Sequence, residues 1–73
     1  MSTIVVSERD TLMVINELGV TKPEEIGKEM GFSPEYAAVL CRALYKNGYI
    51  RGTTMTGYEA TDKGKKLAAK LKK

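Results

Sequence analysis

Apolar residues recur at helical spacing in four stretches of the chain, and glycines separate the stretches. Leu12, Ile15 and Leu18 stand three apart and share one side of a helix, which predicts a first helix over about 8–18. Met13 and Val14 broaden its stripe, as the central support of a small core requires. Ser7 with Asp10 three residues on has the form of a capping box, and Gly19 supplies a left-handed stop.

The segment "GVTKPEEIGKEMGFSPEY" carries the densest signals. Thr21 with Glu24 forms a second possible cap, and Pro23 suits a first helical turn. Ile26 and Met30 lie four apart on one face of a short helix over about 23–30, which Gly31 ends. Phe32 plugs the corner, while Ser33 and Pro34 start a third helix as N-cap and first residue. Two helices joined by a short turn containing glycine form a helix-turn-helix.

The third helix is expected over about 34–47. Ala37, Leu40, Cys41 and Leu44 fall within a narrow arc and form its buried stripe. Asn47-Gly48 ends it. Tyr49-Ile50-Arg51 then reads as a strand, "GTTMTG" as a turn and Tyr58-Glu59-Ala60 as a second strand, a hairpin over about 49–60. Thr61 or Asp62 caps a last helix over about 62–72, in which Gly64, Leu67, Ala68 and Leu71 share a face amid lysines. The fold class is α+β, mainly α, in one 73-residue domain.

Composition narrows the function. The apolar fraction of 42% and charged fraction of 29% are those of a globular domain, and a core this small gains stability from pairing with a second copy. The lone cysteine, Cys41, has no internal disulfide partner and no histidine to share a metal with. The opening "MSTIVVSERD" has an apolar run of only Ile4, Val5 and Val6 and no basic leader, so neither a signal peptide nor a membrane anchor is expected. A cytoplasmic location follows. No nucleophile elbow, phosphate loop or cysteine–histidine set is present, so no catalytic residue, cofactor or metal is expected, and an enzyme is not.

Charge is divided unevenly. Residues 1–40 hold three basic and seven acidic side chains, a balance of −4, whereas residues 41–73 hold nine basic and two acidic, a balance of +7. A basic second half points to a polyanionic partner, or to a lysine-rich terminal helix that is simply solvated.

Two local patterns resemble those of winged helix-turn-helix domains. "IGKEMGFS" is similar to their second helix and turn, with Gly27, Gly31, Phe32 and Ser33 in the characteristic places. Gly27 stands where alanine is usual, at a helix-propensity cost of ~1 kcal/mol. "LYKNGYI" and "YEATDKGKKL" resemble the hairpin and closing stretch of MarR-type, PadR-type and small archaeal regulators; Tyr58, Thr61, Lys63, Gly64 and Leu67 match, and Ala60 replaces a leucine. The likeness runs from Ser7 to about Leu71.

This resemblance implies sequence-specific binding of double-stranded DNA by a small transcriptional regulator, its third helix in the major groove. The outward face of that helix carries Glu35, Ala38, Val39, Arg42 and Lys46, entered through Ser33 and flanked by Tyr36 and Tyr45. Arg42 suits a guanine edge or a phosphate, Val39 or Ala38 a thymine methyl, and Glu35 a cytosine amino group. Tyr36 or Tyr45 suits a phosphate, or a core or dimer contact. In the hairpin, Arg51 sits at the base, and Thr53, Thr54 and Thr56 offer hydroxyls to phosphates but no charge. Lys63, Lys65, Lys66, Lys70, Lys72 and Lys73 surround the last helix, where Leu67 and Leu71 are expected to pair in a homodimer. The alternative is a winged-helix adaptor that contacts protein, favoured by the partly apolar third-helix face and the uncharged hairpin tip. No small-molecule effector is specified by any motif.

Overall fold

The computed structural model describes residues 6–71; Ile4 and Val5 of the apolar run, and Lys72 and Lys73, lie outside them. The element order is α1 (Val6–Leu18), α2 (Pro23–Met30), α3 (Pro34–Lys46), β1 (Ile50–Thr53), β2 (Gly57–Ala60) and α4 (Asp62–Leu71). Each expected element is present, and the differences at their ends have local causes.

Helix α1 already includes Ser7, so Ser7 and Asp10 do not form a capping box. The Thr11 hydroxyl instead donates to the Ser7 carbonyl at 2.8 Å, one turn back within the helix. The buried row of α1 is Thr11, Leu12 and Ile15, and it stops short of Leu18. Leu18 is consequently 50% exposed.

The cap of α2 is displaced by one residue from the expected Thr21–Glu24 pair. Lys22 is the N-cap, and the Glu25 carboxylate accepts from the Lys22 N–H at 2.9 Å and the Thr21 hydroxyl at 3.2 Å. Those two bonds, the backbone one foremost, hold the Glu25 carboxyl below its usual range. Thr21 is buried because it does a different job. Its N–H and carbonyl exchange hydrogen bonds with Tyr58 at 2.9 and 2.7 Å, so the link between α1 and α2 adds a single-residue third strand to β2.

Gly31 ends α2 in the left-handed conformation, φ 76°, and the Phe32 N–H reaches back to the Gly27 carbonyl at 2.8 Å. That return brings the Phe32 carbonyl so close that a Cβ at Gly27 would lie 2.5 Å from it. Glycine here is therefore a requirement of the turn, and its propensity cost is secondary.

Helix α3 packs on α1, α2 and β1 through Ala37, Leu40, Cys41 and Leu44, all buried as their spacing predicts. Burying each leucine-sized side chain contributes roughly 1.5–3 kcal/mol. The helix closes in a Schellman motif: Gly48 takes φ 79°, its N–H bonds the Tyr45 carbonyl, and the Tyr49 N–H bonds the Leu44 carbonyl, both at 3.0 Å. Tyr49 thus belongs to the helix stop, and the strand begins one residue later than expected.

The hairpin is antiparallel, pairing Ile50 with Ala60, Arg51 with Glu59, Gly52 with Tyr58 and Thr53 with Gly57. Ile50, Tyr58 and Ala60 join Leu12, Ile15, Ile26, Ala37, Cys41 and Leu44 in the core.

Of the two residues expected to cap α4, Thr61 is the one that does so. Its hydroxyl accepts from the Gly64 N–H at 3.1 Å and donates to the Gly48 carbonyl at 2.6 Å. Lys63 donates to the Asn47 carbonyl at 2.6 Å and lies 4.8 Å from the Tyr49 ring centroid. Gly64 and Ala68 are buried, and half-buried Leu67 packs on the core from the same face. No described helix is long and apolar enough to cross a membrane.

Two outcomes follow from this packing. Gly27→Ala and Gly64→Ala are each expected to lower the denaturation midpoint, although helix propensity alone favours alanine by ~1 kcal/mol. A Cβ at either place meets backbone, the Phe32 or the Tyr49 carbonyl; a raised midpoint in urea titration contradicts the packing. Burial pushes the Cys41 thiol up to about 11, above its value in the unfolded chain. Between the two values the unfolded chain is the one that loses its proton, so this group makes stability fall as pH rises there. Labelling of Cys41 at mildly alkaline pH should require unfolding, and rapid native-state labelling contradicts this.

Candidate nucleic-acid interface

Ser33 fixes where α3 begins: its Oγ accepts from the Tyr36 N–H at 3.2 Å. With the core stripe turned inward, the remaining positions face solvent. Glu35, Arg42 and Lys46 are exposed, Val39 is 61% exposed, and Ala38 is half-buried at the foot of this face. Glu35, Ala38, Val39 and Arg42 surround one shallow hollow, as their three- and four-residue spacing requires. None of the charged three takes part in an ion pair among the described residues.

A second concavity of about 380 Å³ lies between α3 and the hairpin. Ala38, Arg42 and Tyr45 form one wall, and Gly52, Thr53 and Thr54 the other, with Tyr58 also lining it. Ala38 and Arg42 are common to both hollows, and Arg42 is the charged one of the two. Within the hairpin the two strands approach each other closely. Gly52 has φ 118°, and a Cβ there would collide with the Gly57 carbonyl across the strand pair.

The other expected residues are placed differently. Tyr36 packs edge-on against Phe32, with ring centroids 4.9 Å apart, and keeps 42% of its surface exposed. Lys46 is exposed at the last turn of α3 and lines neither hollow. Arg51 pairs across the strands with Glu59, Nε to Oε2 3.5 Å, so its charge is locally matched. In the turn, the Thr53 and Thr56 hydroxyls lie 2.9 Å apart, and Thr53 also accepts from the Thr56 N–H at 3.0 Å. Thr54 makes no side-chain hydrogen bond among the described residues, which leaves its hydroxyl as the free one of the three.

Two further residues line the cleft: Tyr45, expected to flank the face of α3, and Tyr58, which is not among the expected contacts. Tyr45 is 53% exposed and stands three residues after Arg42 on the same face, a spacing that marks it. Tyr58 is 8% exposed, and burial raises its phenol above the ordinary value. Its dual role in core and cleft depends on strand pairing and has no signature in local sequence. Among the described residues no group of three or more acidic, cysteine or histidine side chains is arranged to hold a metal.

No family model matches the sequence, and no curated protein does. Solved structures match by shape. The multiple antibiotic-resistance repressor MarR of Listeria monocytogenes superposes with a TM-score of 0.87 at 14% identity, over 94% of this chain and 50% of that one. FabT of Streptococcus pneumoniae, solved in complex with DNA, gives 0.84 at 22% identity over 96% and 53%. A transcriptional regulator of Thermotoga maritima gives 0.80 at 26% identity over 93% and 51%. The chain spans about half the length of these proteins. The first of them is a repressor and the third a transcriptional regulator, while FabT was solved on DNA. The chain has the winged helix-turn-helix fold of MarR-type regulators, β1 and β2 forming its wing.

Proposed function

We propose that this chain binds double-stranded DNA sequence-specifically, as the reading unit of a small transcriptional regulator, with α3 in the major groove. The observation that carries the proposal is the position of Arg42. It is exposed, makes no ion pair among the described residues, and lies where the α3 hollow meets the cleft below the wing. That FabT, with the same fold, was solved on DNA supports the same partner here.

In this reading Arg42 contacts a guanine edge, and Val39 and Ala38 contact a thymine methyl. Glu35 accepts from a cytosine amino group, and Lys46 contacts a phosphate. Ser33 and Tyr36 meet the backbone at the helix entry, and Thr54 meets it from the wing. Arg51, Thr53 and Thr56 act mainly by shaping the wing, since their polar groups are engaged within it. Two copies pair through α4, with Leu67 and Leu71 at the contact, and present their α3 helices about 34 Å apart to an inverted repeat. The protein works in the cytoplasm without cofactor.

A second reading is a winged-helix adaptor for a protein partner. It is favoured by the exposure of Tyr36, Val39 and Tyr45, at 42%, 61% and 53%, beside an uncharged wing tip. Large exposed side chains of this kind are typical anchors of protein interfaces.

Selection from a random pool of duplexes, followed by anisotropy titration at several salt concentrations, separates the two. Arg42→Ala should cost about 1–3 kcal/mol and relax preference at one base pair, whereas Lys46→Ala should weaken all duplexes alike and reduce the salt slope by about one. Absence of binding at low salt, or binding indifferent to both changes, removes the DNA reading.

A further inference from the structure

Six large apolar side chains are exposed among the described residues, and four of them lie on α3 or in the wing turn. The other two, Leu18 and Val20, line neither hollow beside α3 and stand on the link between α1 and α2. That link is well fixed. The Gly19 N–H bonds the Ile15 carbonyl at 2.9 Å, and Thr21 exchanges two backbone bonds with Tyr58. Val20 lies against the start of β2, where a Cβ on Gly57 would come within 2.8 Å of it. Two apolar side chains are thus held in water on a braced segment, with no return inside the fold. Their surroundings are acidic. Residues 17–25 hold Glu17, Glu24 and Glu25 against Lys22 alone, a balance of −2.

The opposite combination occurs on α4. A hollow of about 230 Å³ is lined by Tyr49, Lys63, Lys66, Leu67 and Lys70. Tyr49 and Leu67, both half-buried, supply its apolar part. The three lysines follow one side of the helix at three- and four-residue steps, no acidic side chain lines the hollow, and none of the three joins an ion pair among the described residues. Residues 62–71 hold four lysines against Asp62, a balance of +3. Laying one α4 directly on another would bring two such rows of like charge together, which is unfavourable. The occupant that suits this hollow is apolar at its centre and acidic at its edge.

We infer that the α4 hollow receives the α1–α2 link of a second copy of this chain. Leu18 and Val20 cover Tyr49 and Leu67, and Glu17 faces Lys66 and Lys70. The inference rests on the reading that copies pair through α4, and it names the surface that α4 meets. Each copy has one hollow and one link, so a closed pair makes the contact twice. None of the residues involved lines the hollows beside α3, so pairing leaves that face open to a duplex. The exposure of Leu18 and Val20 and the unpaired lysine row then have one cause.

Sedimentation equilibrium of the full chain without DNA tests this. Leu18→Ser should weaken pairing about tenfold while circular dichroism stays that of the parent, since the side chain is already half exposed. Glu17→Lys and Lys66→Glu should each weaken it about fivefold, and the two changes combined should bring pairing back toward the parent value. Pairing of α4 against α4 gives a different pattern: Lys66→Glu relieves repulsion and tightens it, and Leu18→Ser has no effect. Parent-like pairing in Leu18→Ser, or tighter pairing in Lys66→Glu, overturns the inference while leaving pairing through α4 in place. A parent chain that stays monomeric at the highest attainable concentration removes the pairing reading and this inference with it.

Discussion

The structure depends on how the carbonyls left over at the end of α3 are satisfied. A helix leaves its last carbonyls without intrahelical partners, and burying such groups unpaired is costly. Here the Schellman turn takes up those of Leu44 and Tyr45, and Thr61 with Lys63 at the start of α4 supplies donors for three carbonyls just beyond the helix. Lys63 bonds the Asn47 carbonyl, the Thr61 hydroxyl bonds that of Gly48, and the Thr61 N–H bonds that of Tyr49 at 3.0 Å. The four residues from Thr61 to Gly64 therefore form a clasp. Gly64 belongs to it because no side chain fits against the Tyr49 carbonyl.

The wing leaves the fold inside this clasp, between Tyr49 and Thr61, so its base is fixed at both ends by α3 and α4. Tyr58 fixes it a third time, by exchanging backbone bonds with Thr21 on the link between α1 and α2. The distance between α3 and the wing is thus set by the core. This matters because the surface between them is sparsely charged. Arg42 is its central cation, while Arg51 is committed to Glu59. In the proposed DNA reading, α3 and the wing offer few phosphate contacts, so recognition there would depend on shape and on a rigid frame. The lysines of α4 supply charge elsewhere on the molecule, outside both hollows beside α3.

What was legible in the sequence was whatever local chemistry decides. The α3 stripe, the Ser33 cap, and the stops at Gly19, Gly31 and Gly48 follow from spacing and from the left-handed backbone that glycine tolerates. Contacts between distant segments were not legible. Thr21 reads as a helix cap because threonine commonly is one, yet it serves as a one-residue strand for Tyr58. Leu18 reads as core by spacing, but the buried row of α1 follows Thr11 and Ile15, and a buried threonine is hard to foresee when its hydroxyl bonds its own helix. The outward face of α3 was readable as a list of residues, since it is the complement of the core stripe. Its division into two hollows that meet at Arg42 depends on how closely the wing approaches. Local pattern does not carry that information.

The central claim is that α3 and the wing together form the face that meets a duplex. Amide and methyl chemical shifts recorded while duplex DNA is added test it most directly. The account predicts changes at Ala38, Val39 and Arg42 on α3 and at Gly52 to Met55 in the wing, with Thr61 to Gly64 unmoved. Changes confined to the lysine-bearing face of α4, with α3 and the wing silent, would contradict it.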